Sequence, residues 1–117
     1  MEVEFMLDAQ IQRIVEDTRL RVSELFPNDH VDAILFGSYA RGDAHADSDL
    51  DILLLVDASK EAIARQNWQI GKIASDLFFD YELVVSPIVE NRSFYESRIQ
   101  AIPFYENIHR EGVLFSA

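Results

Sequence analysis

The sequence predicts an α+β (α/β) fold, a small mixed β-sheet with helices packed mainly on one face. Three observations carry this prediction. Helix-like and strand-like stretches are interspersed in the order helix, strand, turn, strand, helix, strand, helix, and interspersed elements must share one layered core. Two runs, Val31–Phe36 and Leu50–Val56, are dense in Ile, Leu and Val, as strands buried on both faces are. The connection between them, about 13 residues, is too long for a tight hairpin. A chain of 117 residues, 49% of them hydrophobic, supplies one core of ordinary size. No repeat, low-complexity stretch or linker interrupts it, so residues 1–117 are read as a single domain.

The elements follow in order. From Asp8 to Phe26, apolar residues at Ile11, Ile14, Val15, Thr18, Val22, Leu25 and Phe26 keep the helical period. Asp8 is a suitable cap, and Pro27-Asn28-Asp29 stops the helix. The first strand ends at Gly37, and Ser38–Arg41 suits one helical turn. The second strand is followed by a helix from Ser59 to Phe78, with Ser59 as N-cap and a stripe of Ile63, Ile70, Ile73, Ala74 and Leu77. Trp68 and Phe78-Phe79 are assigned to core or packing rather than to a base-stacking platform. Tyr81–Val89 reads as a third strand, in which Pro87 argues for an edge position or a bulge. Phe94–Ile99 suits a short helix. Pro103 opens a last one, with Pro at N1 and Glu111-Gly112 at its end. Val113–Phe115 is a short strand or a tail.

Composition narrows the function. The formal net charge is −11, from 21 acidic and 10 basic residues. Binding to the nucleic-acid backbone requires a basic face, so no direct nucleic-acid contact is expected. An acidic surface suits solubility or a basic protein partner. There is no cysteine, hence no disulfide. The start, MEVEFMLDAQ, lacks a basic region followed by an apolar one, so a cytoplasmic location is expected. No apolar run approaches the roughly 20 residues that span a bilayer. His30, His45 and His109 match no zinc-ligand spacing. His45 is read as a solvated loop residue. Phe104 and Tyr105 form either an apolar lip for a partner or a closure onto the sheet.

The chemistry concentrates between Val31 and Asp57. Gly37 follows a strand directly, where glycine permits a sharp turn and a close approach to a ligand. Ser38 then places a hydroxyl and an N–H at the start of a helical turn, a position that favours phosphate. Asp49 and Asp51, two apart at the start of the second strand, point to one face. Like charges held that close are best tolerated with a cation between them. Mg²⁺ is commonly held by one or two carboxylates together with substrate phosphates.

The run Gly37-Ser38-Tyr39-Ala40-Arg41-Gly42, followed by Ser48-Asp49-Leu50-Asp51-Ile52, resembles the signature of the polymerase-β-like nucleotidyltransferase superfamily. It is most similar to the stand-alone minimal nucleotidyltransferases, among them the antitoxins paired with HEPN-type toxins. The resemblance implies the nucleotidyltransferase fold and an enzyme that moves a nucleoside monophosphate to an acceptor and releases pyrophosphate. It implies that Gly37 and Ser38 hold the triphosphate and that Asp49 and Asp51 bind Mg²⁺. Arg41 either contacts phosphate or braces the loop through Asp43 or Asp47. Ser48 orients the aspartate loop. A third acid is implied on the next strand. Glu82, expected inside that strand, is preferred as catalytic acid and metal ligand over Asp80 at the helix–strand junction. The resemblance further implies ATP as donor and a HEPN-type toxin as partner in a hetero-oligomer, AMP passing to a hydroxyl of that toxin, for which tyrosine is the candidate. The alternatives are transfer to a small molecule such as an aminoglycoside, and an antitoxin that neutralises by binding alone.

Overall fold

The computed structural model describes residues 8–116. The elements are α1 (Ala9–Leu25), β1 (Asp32–Phe36), α2 (Ser38–Arg41), β2 (Leu50–Val56), α3 (Lys60–Ala64), α4 (Asn67–Tyr81), β3 (Val85–Asn91), α5 (Arg92–Ser97), α6 (Pro103–Glu111) and β4 (Val113–Phe115). They form a mixed α/β domain around one four-stranded sheet of order β3-β2-β1-β4. β1 pairs antiparallel with β2 and with β4, and β2 pairs parallel with β3.

Local chemistry explains most boundaries. The Asp8 carboxylate accepts the Gln10 N–H at 2.8 Å and starts α1. That helix buries Ile14, Val15, Thr18, Arg19 and Val22. The buried Thr18 hydroxyl is satisfied by the Ile14 carbonyl at 2.7 Å. Arg19 is held by Glu16 and donates to the Val31 carbonyl at 3.3 Å. It thereby ties α1 to the residue that precedes β1. The Asn91 side chain accepts the Phe94 N–H at 2.9 Å and starts α5 where β3 ends.

β2 lies inside the sheet and is buried on both faces. Ile52, Leu54 and Val56 join Ile14, Val15, Val22, Ile73 and Leu77 beneath the two long helices, α1 and α4. Leu53 and Leu55 join Phe36, Tyr95, Tyr105 and Ile108 on the other face, covered by α5 and α6. Strand alternation makes this division. It also assigns Asp51, in step with Leu53 and Leu55, to the face of α5 and α6. Pro87 sits on β3, an edge strand, as its missing N–H requires.

Three expectations are corrected. The helix read over Ser59–Phe78 is two helices, with a turn at Arg65-Gln66. No glycine or proline marks that turn, and its anchor is tertiary: the Gln66 side-chain amide reaches the Leu25 carbonyl at 3.5 Å. The third strand does not start at Tyr81. α4 continues through Tyr81, whose hydroxyl donates to Asp17 on α1 at 2.7 Å, and β3 runs from Val85 to Asn91. Trp68 and Phe79 are not core residues. They are 73% and 87% exposed, and Phe78 is 52% exposed.

Candidate active site

The site is assembled by the β1–α2–β2 segment. Gly37 leaves β1 with φ 79° and ψ −155° and becomes the N-cap of α2. This is backbone territory that side-chain-bearing residues almost never occupy. Phe36 and Asp51 are register partners across β1 and β2, so Asp51 stands beside the start of the turn. A Cβ built on Gly37 would lie 2.4 Å from Asp51 Oδ2 and 3.3 Å from Asp51 Cγ. The glycine is therefore required twice, for its dihedrals and for the space that the Asp51 carboxylate fills. Gly42, with φ 83°, closes α2 in the left-handed conformation and donates to the Ser38 carbonyl at 3.0 Å.

Asp49 lies one residue before β2 and is exposed, while Asp51 is half-buried within it. Burial first, and the Asp49 charge second, push the Asp51 carboxyl above the usual carboxylate range, with Arg41 acting in the opposite direction. No hydrogen bond or ion pair among the described residues engages either carboxylate. Two unpaired acids, one of them crowded by burial and by a like charge, form a donor set that fits a divalent cation. Two acids are all that the described residues bring together here: no group of three or more His, Asp or Glu side chains is placed to share a metal.

The other sequence-predicted residues fall as follows. Ser38 opens α2, where first-turn amides lack intrahelical acceptors. Arg41 pairs with Asp43 at 3.2 Å, as one expectation had it, and with Glu111 at the end of α6 at 3.0 Å. Ser48 accepts the His45 N–H at 2.9 Å and donates its own N–H to the His45 carbonyl at 2.9 Å, which closes a turn immediately before Asp49. Asp80 is engaged by Arg21 on α1 at 2.9 Å, a structural pairing.

Glu82 is the correction. It is not in a strand. It is the C-cap of α4, in the left-handed conformation with φ 56° and ψ 35°, its N–H donating to the Phe78 carbonyl at 2.8 Å. It is the one non-glycine residue with positive φ among those described. The chain then returns to the sheet: the Leu50 N–H donates to the Val84 carbonyl at 2.9 Å, and Asp51 pairs in register with Ser86. The β3 residue beside Asp51 is thus a serine. Sequence reasoning missed both Ser86 and Glu111. Each is assigned by a long-range pairing that local periodicity does not encode.

Comparison with known proteins decides the family. A family model described as a nucleotidyltransferase domain matches residues 15–107, a span that includes both halves of the motif. The chain belongs to the nucleotidyltransferase domain family. Two similar proteins from Methanocaldococcus jannaschii are provisionally named protein adenylyltransferases. MJ0141 is 32% identical over 96 residues, which covers 82% of this chain and 95% of that protein. MJ0604 is 34% identical over 79 residues, covering 68% of this chain and 71% of that protein. This nucleotidyltransferase is accordingly an enzyme of nucleotide transfer. No helix among the described residues is long and apolar enough to cross a membrane.

Proposed function

We propose that this nucleotidyltransferase transfers AMP from ATP to a hydroxyl, with tyrosine as the candidate, on a partner protein of the HEPN toxin type, and so acts as an antitoxin. The observation that carries the reading is the seating of the Asp51 carboxylate against Gly37, with Asp49 two residues away. A nucleotide site of this kind needs a phosphate-turn glycine and a metal-ligand pair within reach of each other. The protein-adenylyltransferase names of the relatives and the acidic charge of −11 support a protein acceptor over a small molecule such as an aminoglycoside.

In this reading Gly37 and Ser38 receive the triphosphate through backbone N–H groups, and Ser48 holds the Asp49 loop in place. Arg41, bridging Asp43 and Glu111, sets the far end of the turn and offers its charge to the phosphates. Asp49 and Asp51 would hold Mg²⁺, which neutralises triphosphate charge and favours the ionised acceptor hydroxyl. The acceptor oxygen forms a bond to the α-phosphorus as the bond from that phosphorus to the bridging oxygen breaks. Pyrophosphate leaves with that electron pair. The hydroxyl proton goes to an ionised carboxylate on the acceptor side, for which Glu82 is the candidate from the α4–β3 turn. Its role is acceptor-side base rather than metal ligand.

A second reading keeps the antitoxin but not the turnover. Ser86 stands where an acid would face Asp51, and two carboxylates bind Mg-ATP without activating an acceptor. Neutralisation would then follow from binding. Incubation with ATP labelled at the α-phosphate, Mg²⁺ and the co-purified partner separates the readings. Label on the partner, lost in Asp49→Asn and in Asp51→Asn, supports transfer. A double variant that leaves the partner unlabelled yet still fully neutralised supports binding alone. Label on an amino sugar with no protein acceptor would defeat the first reading.

A further inference from the structure

On the face of the sheet that carries Asp51, the helical cover is incomplete. Register places Phe36 on β1 and Ser86 on β3 to either side of Asp51, and Ile34 and Ile88 to either side of Leu53 in the next row. Leu53 and Leu55 on β2 are buried beneath α5 and α6. The first turn of α6 crosses the sheet. Phe104 meets the Phe36 ring edge-to-face, with centroids 5.6 Å apart, and the Tyr105 hydroxyl donates to Glu90 on β3 at 2.8 Å. Of the two sequence readings of this pair, Tyr105 follows the closure onto the sheet and is 8% exposed, whereas Phe104 follows the lip and is 47% exposed. Ile88 is 38% exposed, on a strand with no neighbour beyond it. Ser86 is half-buried, and its hydroxyl has no hydrogen-bond partner among the described residues. Asp51 therefore stands at the head of an open shelf with Ser86 beside it, Ile88 on the edge strand and Phe104 on the α6 wall.

We infer that this shelf is the acceptor subsite and that it selects an aromatic hydroxyl, a tyrosine side chain whose ring packs against Ile88 and Phe104 while its oxygen reaches Asp51. The inference rests on the reading above, in which Gly37 and Ser38 hold the triphosphate. Attacking and leaving oxygens lie roughly in line through the phosphorus. With pyrophosphate at Gly37, at the end of β1, the attacking oxygen comes from the opposite side of Asp51, the side of β3. The diagonal neighbour of Asp51 on that strand is Ile88, about 7–8 Å away, a separation that an aromatic side chain spans. A serine or threonine carries its hydroxyl next to the backbone and leaves both apolar walls bare. An amino sugar sets polar groups against them without hydrogen-bond partners. Acidity points to the same class. Ser86 holds the strand position beside Asp51, and no third metal-binding acid joins the two aspartates among the described residues. A phenol, with a pKa of about 10, gives up its proton more readily than an aliphatic alcohol, which suits a site with two such acids. The phenolic oxygen bonds to the α-phosphorus, the bond to pyrophosphate breaks with its electron pair on the leaving oxygen, and the phenolic proton passes to the Glu82 carboxylate ahead of β3.

The test uses the full chain, Mg²⁺, ATP labelled at the α-phosphate and three acceptors: the blocked peptides Ala-Tyr-Ala and Ala-Ser-Ala, and the co-purified partner. Label is expected on tyrosine, in the peptide or in the partner, and not on the serine peptide. Ile88→Ala and Phe104→Ala should each raise KM for the tyrosine acceptor about tenfold, the loss of one apolar wall, while KM for ATP keeps its wild-type value. Ile88 is exposed on an edge strand, so its variant should melt with wild type and guards against a Phe104→Ala variant that only loosens α6. A raised KM for ATP with an unchanged KM for the acceptor makes the shelf the seat of the donor base and overturns the inference. Wild-type kinetics in both variants, or label on a serine or threonine, overturns it too and leaves the function reading intact. Absence of label on every acceptor defeats the function reading and this inference with it.

Discussion

Replacing Gly37 by alanine tests the construction of the site most directly, because two separate penalties can be worked from the coordinates. The first is conformational. At φ 79° and ψ −155° an alanine incurs about 1–3 kcal/mol. For a domain of this size, 1 kcal/mol moves Tm by about 4 °C, so this term lowers Tm by about 4–12 °C. The second is steric. The new Cβ meets Asp51 Oδ2 at 2.4 Å, whereas ordinary contact begins near 3.4 Å, so the carboxylate must retreat by about 1 Å. A displacement of about 1 Å at reacting groups costs about 10²-fold in rate. Gly37→Ala should therefore melt earlier and transfer AMP about a hundredfold more slowly. The two penalties separate in a double-mutant cycle read by thermal and urea denaturation. Asp51→Ala removes Oδ2 and Cγ and leaves the Asp51 Cβ, 3.5 Å away, at normal contact. The steric part of the Gly37→Ala loss should disappear in the double variant while the conformational part persists, a coupling of about 1 kcal/mol. Wild-type Tm and wild-type transfer in Gly37→Ala would refute the geometry. Strict additivity in the cycle would refute the contact with Asp51.

Other predictions follow from single side chains. Asp51 has a folded-state pKa raised above its unfolded value, so its ionisation opposes folding. The penalty is absent below the unfolded value, grows as pH rises past it toward the raised folded value, and stays at its full size above that. Metal-free Asp51→Asn should thus melt above wild type at pH 7, and the gap should close as the pH approaches 4; adding MgCl₂ at pH 7 should raise Tm for wild type but not for the variant. Glu82→Gly should gain about 1 kcal/mol, because glycine adopts the left-handed cap without strain. It should nonetheless lose transfer as Glu82→Gln does, and unimpaired transfer in both variants would remove Glu82 from the reaction. Gly71→Ala, in the exposed middle of α4 with open space around the new methyl, should raise stability by about 1 kcal/mol through helix propensity alone, read as a Tm about 4 °C higher.

How legible each part was depended on how local its cause is. α1, α2, β2 and α6 could be read closely because their determinants lie within the elements: the Asp8 cap, Gly37 before Ser38, the unbroken Leu50–Val56 run and Pro103 at N1. That Gly37 and the two aspartates come together could be read for the same reason, since they occupy one contiguous segment. The α3–α4 break could not, because Gln66 turns toward Leu25, 41 residues away. Glu82 was misplaced because Tyr81 is drawn into α4 by Asp17, a contact across 64 residues. The exposure of Trp68 and Phe79, read from sequence as core or packing residues, is not legible because apolar character alone does not say which helix face a sheet will cover.

The sheet order has an evolutionary consequence. β1, α2 and β2 are consecutive, so the motif from Gly37 to Asp51 lies in one short contiguous stretch, which meets the later chain on two sides, where β2 pairs with β3 and where β1 pairs with β4. Exposed positions between α3 and β3 can change without touching the glycine–aspartate contact, whereas Ile73, Leu77 and Val85 of the same segment pack under β2 and cannot.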